Sequence, residues 1–274
     1  MSKKKRRERP DPASFGLPAT GAESHAHLDL PEFEGDLPEV LARAKAAGVA
    51  TFGNVFLGPD AYHANAARFA DHPEVFFLCG VHPNDAAKAS DDTLAALAGL
   101  LRTEPRLKAL GEIGLDYYWP EPPHDIQLRI FRAQLELARQ LDLRVVIHSR
   151  EAHADCLKAL LDLGFSGRPV LWHCFAGDAD LARTVAAHGW HLSIPGSVTY
   201  PTSERLAEAV AATDLSRLLI ETDCPFLTPE PYRGKRNEPA FLPFTAAKIA
   251  DILGLPLETV WTATGHNARN FFGV

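Results

Sequence analysis

His25-Ala26-His27 sets two imidazoles two residues apart. That spacing points both the same way only on an extended strand, where side chains alternate between faces. On a helix they would diverge. Two imidazoles on one strand face make half of a divalent-metal site, and the rest of the chain offers the other half at matching places. His82 follows an apolar run over 75–79, Glu112 follows one over 107–111, His148 and His173 close two more, and a last run leads into Asp223. Any of these alone would be an ordinary packed histidine or rim acid. Leaving His82 aside, four imidazoles and two carboxylates, each where a strand gives way to a loop, point together to metal chemistry. The other seven histidines (63, 72, 124, 153, 188, 191 and 266) fall on helical or loop patterns and are read as structural.

The elements that must position these groups repeat from about residue 20 onward as apolar run, loop and amphipathic stretch. Strands are predicted over 21–25, 49–53, 75–79, 107–111, 145–148, 170–173, 191–194 and 218–221. The first contains no large aliphatic residue and leans on the histidines that follow it. Between strands, Leu128, Phe131, Leu135 and Ala138 recur at steps of three and four, predicting a helix over 127–141. Leu94, Leu97 and Leu101 do the same, as do Leu157, Leu160 and Leu161. Gly48, Gly164 and Gly189 follow helical runs as C-terminal caps do. Ser90 suits a helix N-cap and Pro201 a first helical turn. Eight strand–helix units predict one α/β domain over 20–274, a parallel sheet closed into a (β/α)8 TIM barrel with its site at the strand C-terminal end.

Bulk composition limits the other functions. At 46% hydrophobic and 23% charged residues the chain is typical of globular proteins, and no apolar run reaches the ~20 residues of a membrane span. The first nine residues hold six cations and one acid, so of the formal −7 the remaining 265 carry −12. A broad basic face for duplex nucleic acid is therefore not expected. Residues 1–19 read as a solvated, disordered basic leader. They lack the apolar segment of a secretory signal, and the four cysteines form no Cys-x-x-Cys pair, so a cytoplasmic protein with reduced thiols is expected.

Six ligating groups exceed what one catalytic zinc with an open position needs. Two cations sharing a carboxylate would use them all, and Glu112, midway in barrel order between the histidine groups, suits the bridge. Asp223 could both ligate and accept a proton from water.

Several stretches carry a family resemblance: Ser24-His25-Ala26-His27-Leu28-Asp29, Gly80-Val81-His82-Pro83, Gly111-Glu112-Ile113-Gly114-Leu115-Asp116-Tyr117, Ile147-His148-Ser149-Arg150, His173-Cys174-Phe175-Ala176-Gly177 and Glu221-Thr222-Asp223-Cys224-Pro225-Phe226. With Tyr232 to Pro239, they resemble the TatD family of metal-dependent deoxyribonucleases in order and spacing, from about residue 22 to the C-terminus. The resemblance implies an amidohydrolase-type barrel and divalent-metal-dependent phosphodiester hydrolysis, commonly 3′→5′ exonucleolytic on DNA. It also implies that His25, His27 and Asp223 hold one ion and His148 and His173 the other, with Glu112 touching both or either. Mg2+ or Mn2+ is the implied working cation, although imidazole-rich shells favour softer ions, so Zn2+ is expected in isolated protein. Ala22 and Glu23 depart from the family's aliphatic strand and aspartate before the first histidine.

Substrate would be held locally. Arg150 could clamp a phosphate or pair with Asp116, and Arg233, Lys235 and Arg236 form a basic loop after the last strand. His82 could bond substrate or support a ligand. Tyr117, Tyr118 and Trp119 could stack a base but are read as packed beneath their loop. Cys174 and Cys224 are expected to face away from the site. DNA is the expected partner, single-stranded or at 3′ ends, with no obligate protein partner. The alternative on the same ligands is an amidohydrolase-type esterase or amidase, or a D-aminoacyl-tRNA deacylase.

Overall fold

The structure, a computed structural model, describes residues 9–274. Eight parallel strands stand side by side in chain order: β1 Gly21–Ala26, β2 Val49–Leu57, β3 Val75–Gly80, β4 Leu107–Asp116, β5 Val145–Arg150, β6 Val170–Trp172, β7 His191–Ile194 and β8 Leu218–Ile220. Between and after them run α1 Leu37–Ala46, α2 Pro59–Asn65, α3 Asp91–Thr103, α4 His124–Gln140, α5 His153–Asp162, α6 Ala179–Ala187, α7 Glu204–Ala211, α8 Leu242–Leu253 and α9 Leu257–Phe272. This is the expected TIM-barrel architecture. Strand side chains alternate between two cores. Ala22, Val55, Phe76, Leu78, Ala109, Val146, Leu171 and Leu219 fill the barrel, which Phe271 and Phe272 of α9 plug from below. Their strand neighbours, such as Phe52, Phe56, Phe77 and Trp172, join the larger layer beneath the helices.

The small residues of β1 are explained by α9. A Cβ on Gly21 would lie 2.0 Å from the Trp261 ring, and one on Gly265 would lie 2.0 Å from the Thr20 carbonyl oxygen. The helix is laid directly on the strand, so its aromatics supply the bulk that β1 lacks.

The join between β8 and β1 differs from the other seven: among the described residues no ladder pairs these strands. Side chains and strand ends bridge it instead. Ser24 Oγ donates to the Ile220 carbonyl at 2.9 Å, and Thr222 N donates to the Glu23 carboxylate at 3.0 and 3.1 Å. Asp223 N donates to the His25 carbonyl and His27 N to that of Cys224.

Local expectations hold in part. Ser90 makes a full capping box with Thr93 at the start of α3. Gly48, Gly164 and Gly189 follow α1, α5 and α6 at positive φ. Pro201, however, lies in a turn ahead of α7, which starts at Glu204 after Ser203. Ser203 Oγ bonds the carbonyls of Val198 and Tyr200, holding the chain out of helix until that point. Leu161 is exposed, so the buried stripe of α5 is Cys156, Ala159 and Leu160. Of the leader expected to be disordered, Arg9 to Ala19 runs along the barrel instead. Phe15 meets Phe244 edge-on at 5.2 Å, and Trp261 Nε1 donates to the Pro18 carbonyl. Residues 1–8, with most of the basic run, lie outside the described residues. Among the described residues no single helix is long and apolar enough to cross a membrane.

Candidate metal centre and substrate cleft

The strand ends bring the six expected ligands together at one mouth of the barrel. Glu112 lies inside β4 rather than after it, at a register shift between Leu110 and Ile113. Such an irregularity re-aims a side chain. The buried carboxylate reaches the centre and divides its two oxygens. Oε2 is 3.4 Å from His25 Nε2 and 3.8 Å from His27 Nε2. Oε1 is 2.6 Å from His148 Nδ1 and 2.7 Å from His173 Nε2. Asp223 Oδ1 completes the first group, 3.5 Å from His27 Nε2 and 3.9 Å from His25 Nε2.

The donors fit a cation. Both ring nitrogens of His25 and Nδ1 of His27 are buried without a hydrogen-bond partner. Leaving such groups unsatisfied is costly in a protein interior unless something else takes their lone pairs. His25, His27 and Glu112 form one compact donor group. The electrostatics agree. Burial alone would raise the pKa of Glu112, but the surrounding His173 and His82, with hydrogen bonds from His148 and His173, hold it well below the usual carboxylate range. Burial and the neighbouring His173 push His25 down, toward the neutral form a ligand needs.

A surrounding set of carboxylates orients the histidines, as such groups do around metal sites. Asp116 Oδ2 is 3.1 Å from His148 Nε2, leaving Nδ1 to face Glu112. Asp116 is itself fixed by buried Gln127, which exchanges hydrogen bonds with its backbone N–H and carbonyl. Glu221 Oε1 lies 3.5 Å from His173 Nδ1 and accepts from Cys174 N at 2.6 Å. Buried Glu23 accepts from the backbone of His25 and Thr222, and desolvation pushes its pKa up to about 8. Sequence reading passed over Glu221 and treated Asp116 only as a salt-bridge candidate. The available signal was their place in the same strand-end motifs.

A cavity of about 570 Å3 opens beside the centre, with His148, His173 and Asp223 on its wall. Arg150 lines it, and its guanidinium lies 3.7 Å over the Tyr118 ring; the alternative pairing with Asp116 is not formed, because Asp116 is taken by His148. His82 joins the centre: its Nδ1 accepts from Asn84 N, so Nε2 carries the hydrogen and faces Glu112 Oε1 at 3.4 Å. Arg233 covers Tyr200, a cavity residue, at 4.3 Å. Arg236 is not brought to the cleft. It makes a two-pronged contact with Asp36 at 2.8 and 2.7 Å and donates to the Glu32 carbonyl, tying the loop to the start of α1.

Two further expectations change. Tyr117 packs on His124 and bonds Asp155, as expected, but Tyr118 and Trp119 are 48% and 49% exposed. Cys174 lines the cavity instead of facing away, because its left-handed backbone (φ 44°) breaks strand alternation. Cys224 is buried, and all four thiols are free.

An eight-stranded parallel barrel that converges histidines and carboxylates at its strand C-terminal mouth defines the class of metal-dependent hydrolases. Sequence comparison is more specific: residues 22–273 match the TatD-related DNase family. The chain belongs to that family. It is 36% identical to the Bacillus subtilis uncharacterized metal-dependent hydrolase YabD, over 92% of this chain and 98% of that protein. It is also 36% identical to a Citrobacter rodentium protein named 3′-5′ ssDNA/RNA exonuclease TatD, over 90% and 96%. The crystal structure of the TatD homologue YjjV from Escherichia coli superposes with a TM-score of 0.87 at 28% identity, covering 93% of this chain and 99% of that one.

Proposed function

We propose that the chain is a two-metal phosphodiesterase that removes nucleotides from DNA, working 3′→5′. The observation that carries this reading is the division of the Glu112 carboxylate, one oxygen toward His25 and His27 and the other toward His148 and His173. His25, His27 and Asp223 would hold one divalent ion, His148 and His173 the other, and Glu112 both. Mg2+ or Mn2+ is the proposed working cation, with Zn2+ also compatible with the imidazole donors. When bound, such a pair supplies an activated water and stabilises charge on the attacking and departing oxygens.

The chain's own groups supply the rest. Asp223, unlike Glu112, reaches the cavity wall, where it can take the proton of the attacking water. The His82 Nε2–H is aimed at the centre and can donate to a phosphoryl oxygen. Arg150 adds a guanidinium on the same wall, able to grip phosphate by two parallel hydrogen bonds. The name of the Citrobacter relative supports nucleic acid over an ester or amide.

The test is an oligonucleotide labelled at either end, incubated with protein of measured metal content. Mn2+ or Mg2+ should release labelled mononucleotide from a 3′ label and a descending ladder from a 5′ label, and chelator should stop both. No cleavage with any divalent metal, together with turnover of an ester or of a D-aminoacyl-tRNA, would replace this reading with the deacylase alternative.

A further inference from the structure

The cleft carries an aromatic surface that the chemistry above does not use. Phe226, three residues past Asp223, is 52% exposed, stands on the cavity wall, and has its ring 6.3 Å from that of His27. Its backbone is held firmly. Buried Asn237 donates from Nδ2 to the carbonyls of Phe226 (2.6 Å) and Thr222 (2.9 Å), and Asn237 N donates to that of Pro225. Asp223 and Leu227 flank the segment in the left-handed region (φ 55° and 52°), which bulky residues seldom occupy away from functional sites. Burying a phenyl ring would stabilise the fold, yet buried polar bonds hold this one in water beside the metal centre. Arg150 connects the same cavity to Tyr118, against which Trp119 stands edge-on at 4.8 Å.

We propose that Phe226 is a stacking shelf for an unpaired nucleobase next to the scissile phosphate, with Arg150 and Tyr118 receiving the adjoining backbone and base. This rests on the phosphodiesterase reading and adds to it the side chain that receives the base. A base offers its face to an aromatic ring only when it is free of a duplex stack, so the cleft takes single strands and frayed ends. Stacking needs no particular pattern of donors and acceptors, so the shelf tolerates all four bases.

Two oligonucleotides test it, identical except that one carries an ordinary base at the cleaved end and the other an abasic tetrahydrofuran residue. Phe226→Ala should raise KM for the base-bearing end by roughly 5- to 150-fold. It should leave kcat near wild type and the abasic end unaffected, and Phe226→Tyr should restore the loss. Unchanged metal content in Phe226→Ala shows an intact centre. Equal losses on both substrates, or none on either, overturn the shelf. A second measurement needs no turnover: 2-aminopurine at the strand end should lose fluorescence on binding wild-type protein and keep it with Phe226→Ala. No quenching by wild type overturns the shelf whether or not DNA is cut. Quenching without cleavage would instead count against the phosphodiesterase reading.

Discussion

At the scale of single residues, the centre depends on which nitrogen of each imidazole faces inward. His148 lies between two carboxylates, Glu112 on Nδ1 and Asp116 on Nε2. If Asp116 holds the Nε2 hydrogen, the Nδ1 lone pair is left for a cation. Two substitutions separate the roles. His148→Ala should lose one metal equivalent per chain and most turnover. Asp116→Asn keeps the size of the side chain but offers Nε2 a weaker partner, and should cost about 10- to 100-fold in metal affinity. Calorimetric titration of chelated protein reads both. Wild-type affinity in Asp116→Asn would mean that Gln127 and the strand already fix the ring.

At the scale of elements, legibility followed bulk. Strands such as Val75–Gly80 and Val145–Arg150 announce themselves through β-branched and aromatic residues, and a histidine falls within two residues of each one's end. β1 is Gly-Ala-Glu-Ser-His-Ala, and only its histidine spacing revealed it, because the residues that complete it stand some 240 positions later on α9. No local pattern encodes that contact. The position of Glu112 within β4 was hidden for a similar reason, since a register shift depends on the neighbouring strand. Arg236 looked like a phosphate ligand because its charge is visible in sequence, whereas its partner Asp36 lies on a distant loop. The close seating of α9 on β1 makes a sharp prediction. Gly265→Ala should push the helix off the Thr20 carbonyl and destabilise the fold by about 1–3 kcal/mol, seen as a lower denaturation midpoint. An unchanged midpoint would show that the contact can relax freely.

At the scale of the whole molecule, the two ends of the barrel differ in character. The upper mouth gathers the metal ligands, and the base is closed by Phe271 and Phe272 with His191 beside them, its ring 5.5 Å from that of Phe271. Burial, aided by the charge of Arg217, pushes His191 down to about 4; Arg144 and His266 line the same basal cavity. The sign of the linkage follows. Below about 6.5 the unfolded chain takes up a proton that the folded chain refuses until about 4, so stability drains away through that window as pH falls. His191→Gln should flatten this part of the acid limb in urea titrations at stepped pH. A limb as steep as wild type would assign the loss to other groups.

The unladdered join between β8 and β1 has a mechanical consequence. His25 and His27 stand on its near bank and Asp223 on its far bank, so one ion gripped by all three would act as a clasp on a hoop otherwise fastened there by single stitches. The reagent for chemistry would then double as a fastener for the scaffold. Stripping the ion should loosen this arc before any other, with amide hydrogens of the first and last strands exchanging fastest and slowing again on reloading. Uniform exchange around the ring, loaded or stripped, would show the stitches to be sufficient.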